Sequence, residues 1–331
     1  MKKKNVFFLT LFIIFVFIPV ISIFSATITI DTTSGRAAIS PYIYGVNDDS
    51  FSKDANFTCR RQGGNRMTGY NWENNASNAG ADWYNSSDSY MCPASVTDCI
   101  NSPGASYEYF VNYNLSKGYD SLITIPMAGY VAADMNGDVT AAQTAPSSRW
   151  HPVYFAKGSA FSFPPDTGDN AVYMDESVWH LTQLFGNAST ATGVKFYDLD
   201  NEPGIWNSTH PYLHPKQVTC KEYVASSITL TAAIKNVDPY AKTFGGVFYG
   251  WTDYMNLNSS DWATEGAGYN WFVSYYLAKM NAAGTAAGKR LLDVIDFHYY
   301  SEAKGGGYRI TDSSAAGYPV VNQTERRNAT R

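Results

Sequence analysis

The chain has 331 residues, enough for one large domain or two ordinary ones. A net charge of −5, with no basic run after the first few residues, argues against nucleic acid as a partner. Charged residues make up 16%, below the ~25% usual for globular chains, whereas 25 Tyr, 8 Trp and 18 Phe can build a large core and flat surfaces suited to sugar rings.

Lys2, Lys3 and Lys4 precede an apolar run from Val6 to Phe24, the pattern of a secretory signal. The run is long enough to be an anchor, but Pro19, Ser22, Ser25 and Ala26 near its end favour cleavage. Residues 1–25 are therefore expected to be a signal peptide, and the mature protein to be extracellular, with no membrane association after cleavage. Export permits disulfides. Cys92 and Cys99 lie close enough to pair in a Pro-containing loop, whereas Cys59 and Cys220 have no assigned partner. No Cys/His set has zinc-ligand spacing.

Short strands are expected at TITIDTTSG, at IYGVN and over 58–66. A long loop follows, with Tyr70, Trp72, Trp83, Tyr84 and Tyr90; loops of that length in compact domains are usually functional. Apolar spacing at Phe110, Val111 and Leu115, with Gly118 as a stop, predicts a helix over 106–118. A strand over 121–128, a helix over 175–186 and a strand over 194–203 come next. A long helix over 215–237 ends at Asp238-Pro239. Then follow a strand over 243–249, a helix over 270–282 and a strand over 291–300. Such alternation predicts a parallel sheet with right-handed crossovers, and fits an open sheet or a barrel. No GxGxxG or Walker loop follows the first strand, which disfavours dinucleotide and phosphate binding.

The stretch VKFYDLDNEP, Val194 to Pro203, stands out as an apolar strand running into three acids. Alternation puts Val194, Phe196, Asp198, Asp200 and Glu202 on one face. Carboxylates crowded at a strand end raise one another's pKa, as general-acid catalysis requires; an N-cap or ion-pair cluster is the plain structural alternative.

Several stretches in order resemble glycoside hydrolase family 44, the endoglucanases and xyloglucanases. They are YIYGVNDD, RRQGGNRMTGYNWENNASNAGADWY, PMAGYVAAD, APSSRW, YDLDNEPGIWNSTHPYLHP and RLLDVIDFHYYSEAKGGGYRI. The resemblance covers essentially the whole mature chain. It implies a (β/α)8 barrel of TIM type with a β-sandwich domain, acting as a retaining endo-hydrolase of β-1,4-glucans. It places the general acid/base on Glu202, with Asn201 before it contacting the sugar 2-hydroxyl. Both can reach one cleft only if the strand has ended or bulged by residue 201. The family usually reads HWYPEA where this chain has HYYSEA, so Tyr299 and Ser301 replace Trp and Pro.

Other residues carry two readings each. His298, with Tyr300 two residues on, sits at the end of the sixth strand and would hydrogen-bond a catalytic carboxylate, or be a satisfied core histidine. Arg66 would hold a nucleophile ionised or pair structurally. Trp72, Trp83 and Trp206 would stack on glucose rings or pack beneath loops. His210 and His214, separated by Pro211 and next to Pro215, are not placed to bind a metal. Asp166, Asp169 and Asn170 form an oxygen-rich turn, and the resemblance implies a structural calcium there with Glu73; Asp134, Asn136 and Asp138 are a weaker candidate. No cofactor is expected for catalysis.

A retaining mechanism needs a second carboxylate, which in the resembling family follows the seventh strand. Of the later acids, Asp253, Asp261, Glu265, Asp293, Asp296, Glu302, Asp312 and Glu325, only Glu302 is tempting. The expectation is that the nucleophile is absent, and that residues 26–331 are a truncated catalytic domain of about six strands, lacking most of the β-sandwich and inactive. The rival readings are a non-catalytic extracellular β-glucan-binding protein and a barrel glycosidase acting on xylan or mannan.

Overall fold

A computed structural model describes residues 29–47 and 56–299, and the backbone of 304–305 and 308–309. The signal segment, Tyr300, Glu302, Asp312 and Glu325 lie outside the described residues. The described residues 29–40 belong to a unit of their own. In its described part the Asp31 carboxylate caps a turn, accepting hydrogen bonds from Thr33 and Ser34. No strand occurs there among the described residues, unlike the expectation for TITIDTTSG.

Six strands make the central sheet: β1 (Gly45–Val46), β2 (Cys59–Gln62), β3 (Asp120–Ile125), β4 (Phe196–Leu199), β5 (Lys242–Phe248) and β6 (Val294–Phe297). They lie side by side in chain order and every neighbouring pair is parallel. The order never reverses, so there is no switch point of the doubly wound kind. Helices α1 (Ala105–Lys117), α2 (Met174–Phe185), α3 (Cys220–Val237) and α4 (Phe272–Ala286) supply crossovers. In a flat sheet, β1 and β6 would stand roughly 24 Å apart at ~4.8 Å per strand. Yet Asn47, just past β1, and His298, just past β6, line one cavity. The sheet is therefore curled, as in part of a TIM-type barrel.

Alternation along the strands separates two cores. Ile123, Ile125, Tyr197 and Leu199 point outward and join the main core with the helices. Cys59, Leu122 and Phe196, with Phe244 against them, form a smaller cluster on the inner face. Between α3, β5 and α4, the rings of Tyr223, Phe248, Phe272 and Tyr276 pack against one another at 5.5–6.4 Å. The Tyr223 hydroxyl donates to Gly246 O at 2.7 Å, which pays the cost of burying its polar end.

Local sequence sets the helix limits. Gly118 ends α1 in the left-handed region, its N–H reaching the carbonyls of Asn114 and Leu115. The long helix starts later than its apolar spacing suggests, at Cys220 rather than Pro215. Thr219 forms a capping box with Glu222: its Oγ1 accepts from Glu222 N at 3.0 Å, and the Glu222 side chain returns to Thr219 N. Asp261 adds further acceptors for the N–H groups of Cys220 and Lys221. Cys92 and Cys99 are disulfide-bonded, and Cys59 and Cys220 are free and buried.

Removing the capping oxygen should destabilise the fold without touching the cleft. Thr219→Ala is expected to cost about 1 kcal/mol in urea unfolding. An unchanged midpoint would show that the Asp261 acceptors alone suffice.

Candidate active site

The cavity at the C-terminal ends of the strands has a volume of about 400 Å3 and is lined by Asn47, Arg61, Gly64, Asn65, Asp82, Asn201, Glu202, His298 and Tyr299. Its centre is the break that ends β4. The strand stops at Leu199, and Asp200 (φ 63°) and Glu202 (φ 48°) both take left-handed backbone. Such conformations cost roughly 1–2 kcal/mol each for a residue with a Cβ. They also undo the alternation, which is how Asn201 and Glu202 come to line one cavity.

Neighbouring groups hold the break in place. The buried Asp200 carboxylate accepts from Thr68 Oγ1 at 2.6 Å, Ala128 N at 3.0 Å, Asn201 N at 2.7 Å, and Met127 N. Glu202 N donates to Val247 O at 2.9 Å, at a bulge in β5 where Val247 has φ 43°. The Trp206 indole donates to Asn201 O at 2.7 Å. Gly204 must lack a side chain, because a Cβ there would lie 1.8 Å from Asp253 Oδ1.

The three acids have separate surroundings rather than one shared charge. Burial is the main cause that pushes Asp198 up to about 7 and Asp200 to about 6, in place of the mutual repulsion expected from the sequence. Arg61 opposes the shift at Asp198 through a 2.6 Å ion pair from its Nε. Burial disfavours the charge on Arg61, but Asp198, Asp296 and Glu202 outweigh it and hold its pKa above the ordinary value. Gly63 leaves room for this guanidinium: a Cβ there would sit 2.3 Å from Arg61 Cζ.

Glu202 projects into the cavity, and its Oε1 lies 2.6 Å from His298 Nδ1. His298 is itself held, its N–H donating to Phe248 O at 2.8 Å and its carbonyl accepting from the Tyr254 hydroxyl. The Asn201 amide is oriented from both ends: Arg61 NH2 donates to its Oδ1 at 3.2 Å, and its Nδ2 donates to Asn65 Oδ1 at 3.1 Å. The site thus offers the Glu202 carboxyl, oriented by His298, together with the Asp82 carboxyl and fixed donors and acceptors.

Other sequence-derived candidates lie elsewhere. Arg66 does not line the cavity. Its guanidinium grips Asp88 at 2.6 and 3.0 Å and covers the Tyr90 ring, while Arg61 takes the cleft position. Trp72 (1% exposed) and Trp206 (2% exposed) cannot stack on a ligand as placed. Trp72 donates to Tyr173 O and stacks against His180, so each indole secures a loop from within. Trp83 is 61% exposed, and its ring lies edge-on to Tyr84. His214 pairs with Glu222 and His210 is buried.

Among the later acids, Asp253 accepts from Tyr249 N, Asp261 caps α3, Glu265 accepts from the Tyr275 hydroxyl and Asp293 pairs with Lys235. The sequence reading passed over Arg61, Asn65 and Asp82. For Arg61 the signal was available: alternation from Cys59 turns it inward, toward Asp198.

Glu73 is buried, its Oε1 has no hydrogen-bond partner, and its pKa is pushed up to about 8 by burial and then by Asp169, Glu176 and Asp166, with Lys157 opposing. That excess of acidic oxygen suits a hard cation. Asp166 and Asp169, however, each turn one oxygen to a local N–H, and no three acid, His or Cys side chains converge on a metal position among the described residues. At the second candidate, Arg149 already serves as cation, 2.8 Å from Asp134.

Residues 76–303 match the model of glycoside hydrolase family 44. Endoglucanase A of Paenibacillus lautus is 51% identical over 87% of this chain and 42% of its own length. The structure of a Paenibacillus polymyxa family 44 xyloglucanase with xyloglucan superimposes with a TM-score of 0.83 at 48% identity, over 88% of this chain and 57% of that one. A family 44 endoglucanase from Clostridium thermocellum gives 0.79 at 51% identity, over 84% and 55%. The chain thus spans about half the length of these relatives.

If Trp72 is a core residue, Trp72→Ala should cost about 3–5 kcal/mol of stability in chemical unfolding. A variant that keeps full stability and loses only ligand affinity would return Trp72 to the cleft.

Proposed function

This chain belongs to glycoside hydrolase family 44, and from that premise we propose that its cavity takes β-1,4-glucan, as cellulose-type glucan or xyloglucan, with Glu202 as general acid/base. The observation that carries the reading is the Glu202 carboxyl, held 2.6 Å from His298 at the end of a central strand and open to a polar cavity. Active sites of parallel barrels lie at that end.

In the proposed retaining cycle, Glu202 protonates the glycosidic oxygen as the bond breaks, and then takes a proton from water in the second step. His298 orients the carboxyl. Arg61 offsets the surrounding negative charge and fixes the Asn201 amide, whose remaining N–H can meet a sugar hydroxyl. The nucleophile would be a second carboxylate about 5–5.5 Å from Glu202. In this reading it lies outside the described residues. The basic and apolar N-terminal segment supports export to where such polymers occur, and the Cys92–Cys99 disulfide fits an oxidising compartment.

The reading includes a structural calcium at Glu73, Asp166 and Asp169. When bound it would neutralise the buried Glu73 carboxylate and tie its loop to the exposed Asp166 and Asp169 of the 166–170 turn. EDTA is then expected to lower the thermal midpoint by several degrees and calcium to restore it. A midpoint indifferent to both would remove calcium from the reading.

The acid is tested by Glu202→Gln. Xyloglucan and cellohexaose should bind within about threefold of the native chain, while any hydrolysis falls by about 10²-fold or more. Hydrolysis that survives the substitution would show that Glu202 is not the acid. Mannan or xylan cleaved in preference to glucan would displace the substrate assignment.

A further inference from the structure

We propose that Asp82 is a substrate-contacting residue of the cleft, accepting hydroxyl hydrogens from a neutral pyranose bound beside Glu202. The assignment rests on the glucan reading and adds to it a named acceptor.

Asp82 is an exposed residue of the loop after β2 and lines the same cavity as Glu202. It makes no ion pair among the described residues. Its polar partner is the Asn65 amide, which donates from Nδ2 to Asp82 Oδ2 at 2.8 Å. Asn65 Oδ1 in turn accepts from Asn201 Nδ2 at 3.1 Å, and Asn201 Oδ1 accepts from Arg61 at 3.2 Å. A single relay thus runs from Arg61 through Asn201 and Asn65 to Asp82. Each amide has one orientation that satisfies both neighbours, so the carboxylate at the end is aimed before any ligand arrives.

One amide donor leaves most of the acceptor capacity of a carboxylate unused. Hydroxyl groups can fill it through charge-assisted bonds, which are roughly twice as strong as neutral ones. A pyranose presents adjacent hydroxyls that can reach both oxygens. The same charge selects against acidic sugars. Asp82 and Glu202 line the cavity together, and Arg61, the cationic lining residue, is already engaged with Asp198 and Asn201. A uronic acid would bring another negative charge into this setting without a free Lys or Arg among the described lining residues to meet it.

The test is isothermal titration of cellohexaose and a xyloglucan oligosaccharide into the native chain, Asp82→Ala and Asp82→Asn, with thermal midpoints measured alongside. Asp82→Ala is expected to weaken binding by about tenfold or more, with the midpoint unchanged because the residue is exposed. Asp82→Asn keeps an oxygen acceptor for Asn65, hence the relay, and should fall between the two. Native-like affinity in Asp82→Ala would overturn this assignment and leave the glucan reading standing. An affinity loss matched by a lower midpoint would make Asp82 structural and also overturn it. A native chain that binds neither oligosaccharide would overturn the glucan reading and this assignment with it.

Discussion

The carboxylate of Asp200 is the fixed point around which the cleft is built. It is buried and accepts hydrogen bonds from the loop after β2 (Thr68), the loop after β3 (Met127 and Ala128) and its own neighbour Asn201. Three connections at the C-terminal end of the sheet are thereby joined to one side chain. The bonds offset its desolvation and the left-handed backbone at Asp200 and Glu202. Without the second left-handed residue, alternation would turn Glu202 away from Asn201. Backbone strain and site geometry are here one feature.

Charge balance is the second constraint. Asp198 and Asp296 lie on the inner face of the curled sheet, with Glu202 above them. Arg61 reaches up between the first pair and the cavity, bonding Asp198 with Nε and Asn201 with NH2. Replacing it would leave buried acid unpaired and let the Asn201 amide turn. Its effect on the cleft passes through two neighbours, and it is a positioning residue in this sense.

Much of this was legible in the sequence. All six central strands and the four crossover helices were legible in place, the helices because burial of one stripe imposes apolar periodicity, although the strand over 58–66 ends at Gln62. The ends were less legible. The strand over 194–203 stops at Leu199, since Asp200 and Glu202 take left-handed backbone that interrupts the extended chain. The helix after it begins at Cys220, because a capping box decides the start more sharply than apolar spacing does. Trp72 and Trp206 read as sugar platforms because aromatic residues on long loops usually face a ligand or fill a loop, and only the acceptors of their indole N–H groups decide which. Arg66 stands out in the sequence by its place at the end of RQGGNR. Asp88, the acid that claims it, lies 22 residues away in a loop whose path no local pattern discloses.

The central claim is that the break after β4 presents Glu202 to a sugar bound in the cavity. A crystal structure of the protein with a xyloglucan oligosaccharide tests it most directly. The predicted result is a chain of rings crossing the cavity, with a glycosidic oxygen about 3 Å from the Glu202 carboxyl, within hydrogen-bond reach. An oligosaccharide seated elsewhere on the surface, with the cavity beside Glu202 and His298 free of sugar, would contradict it.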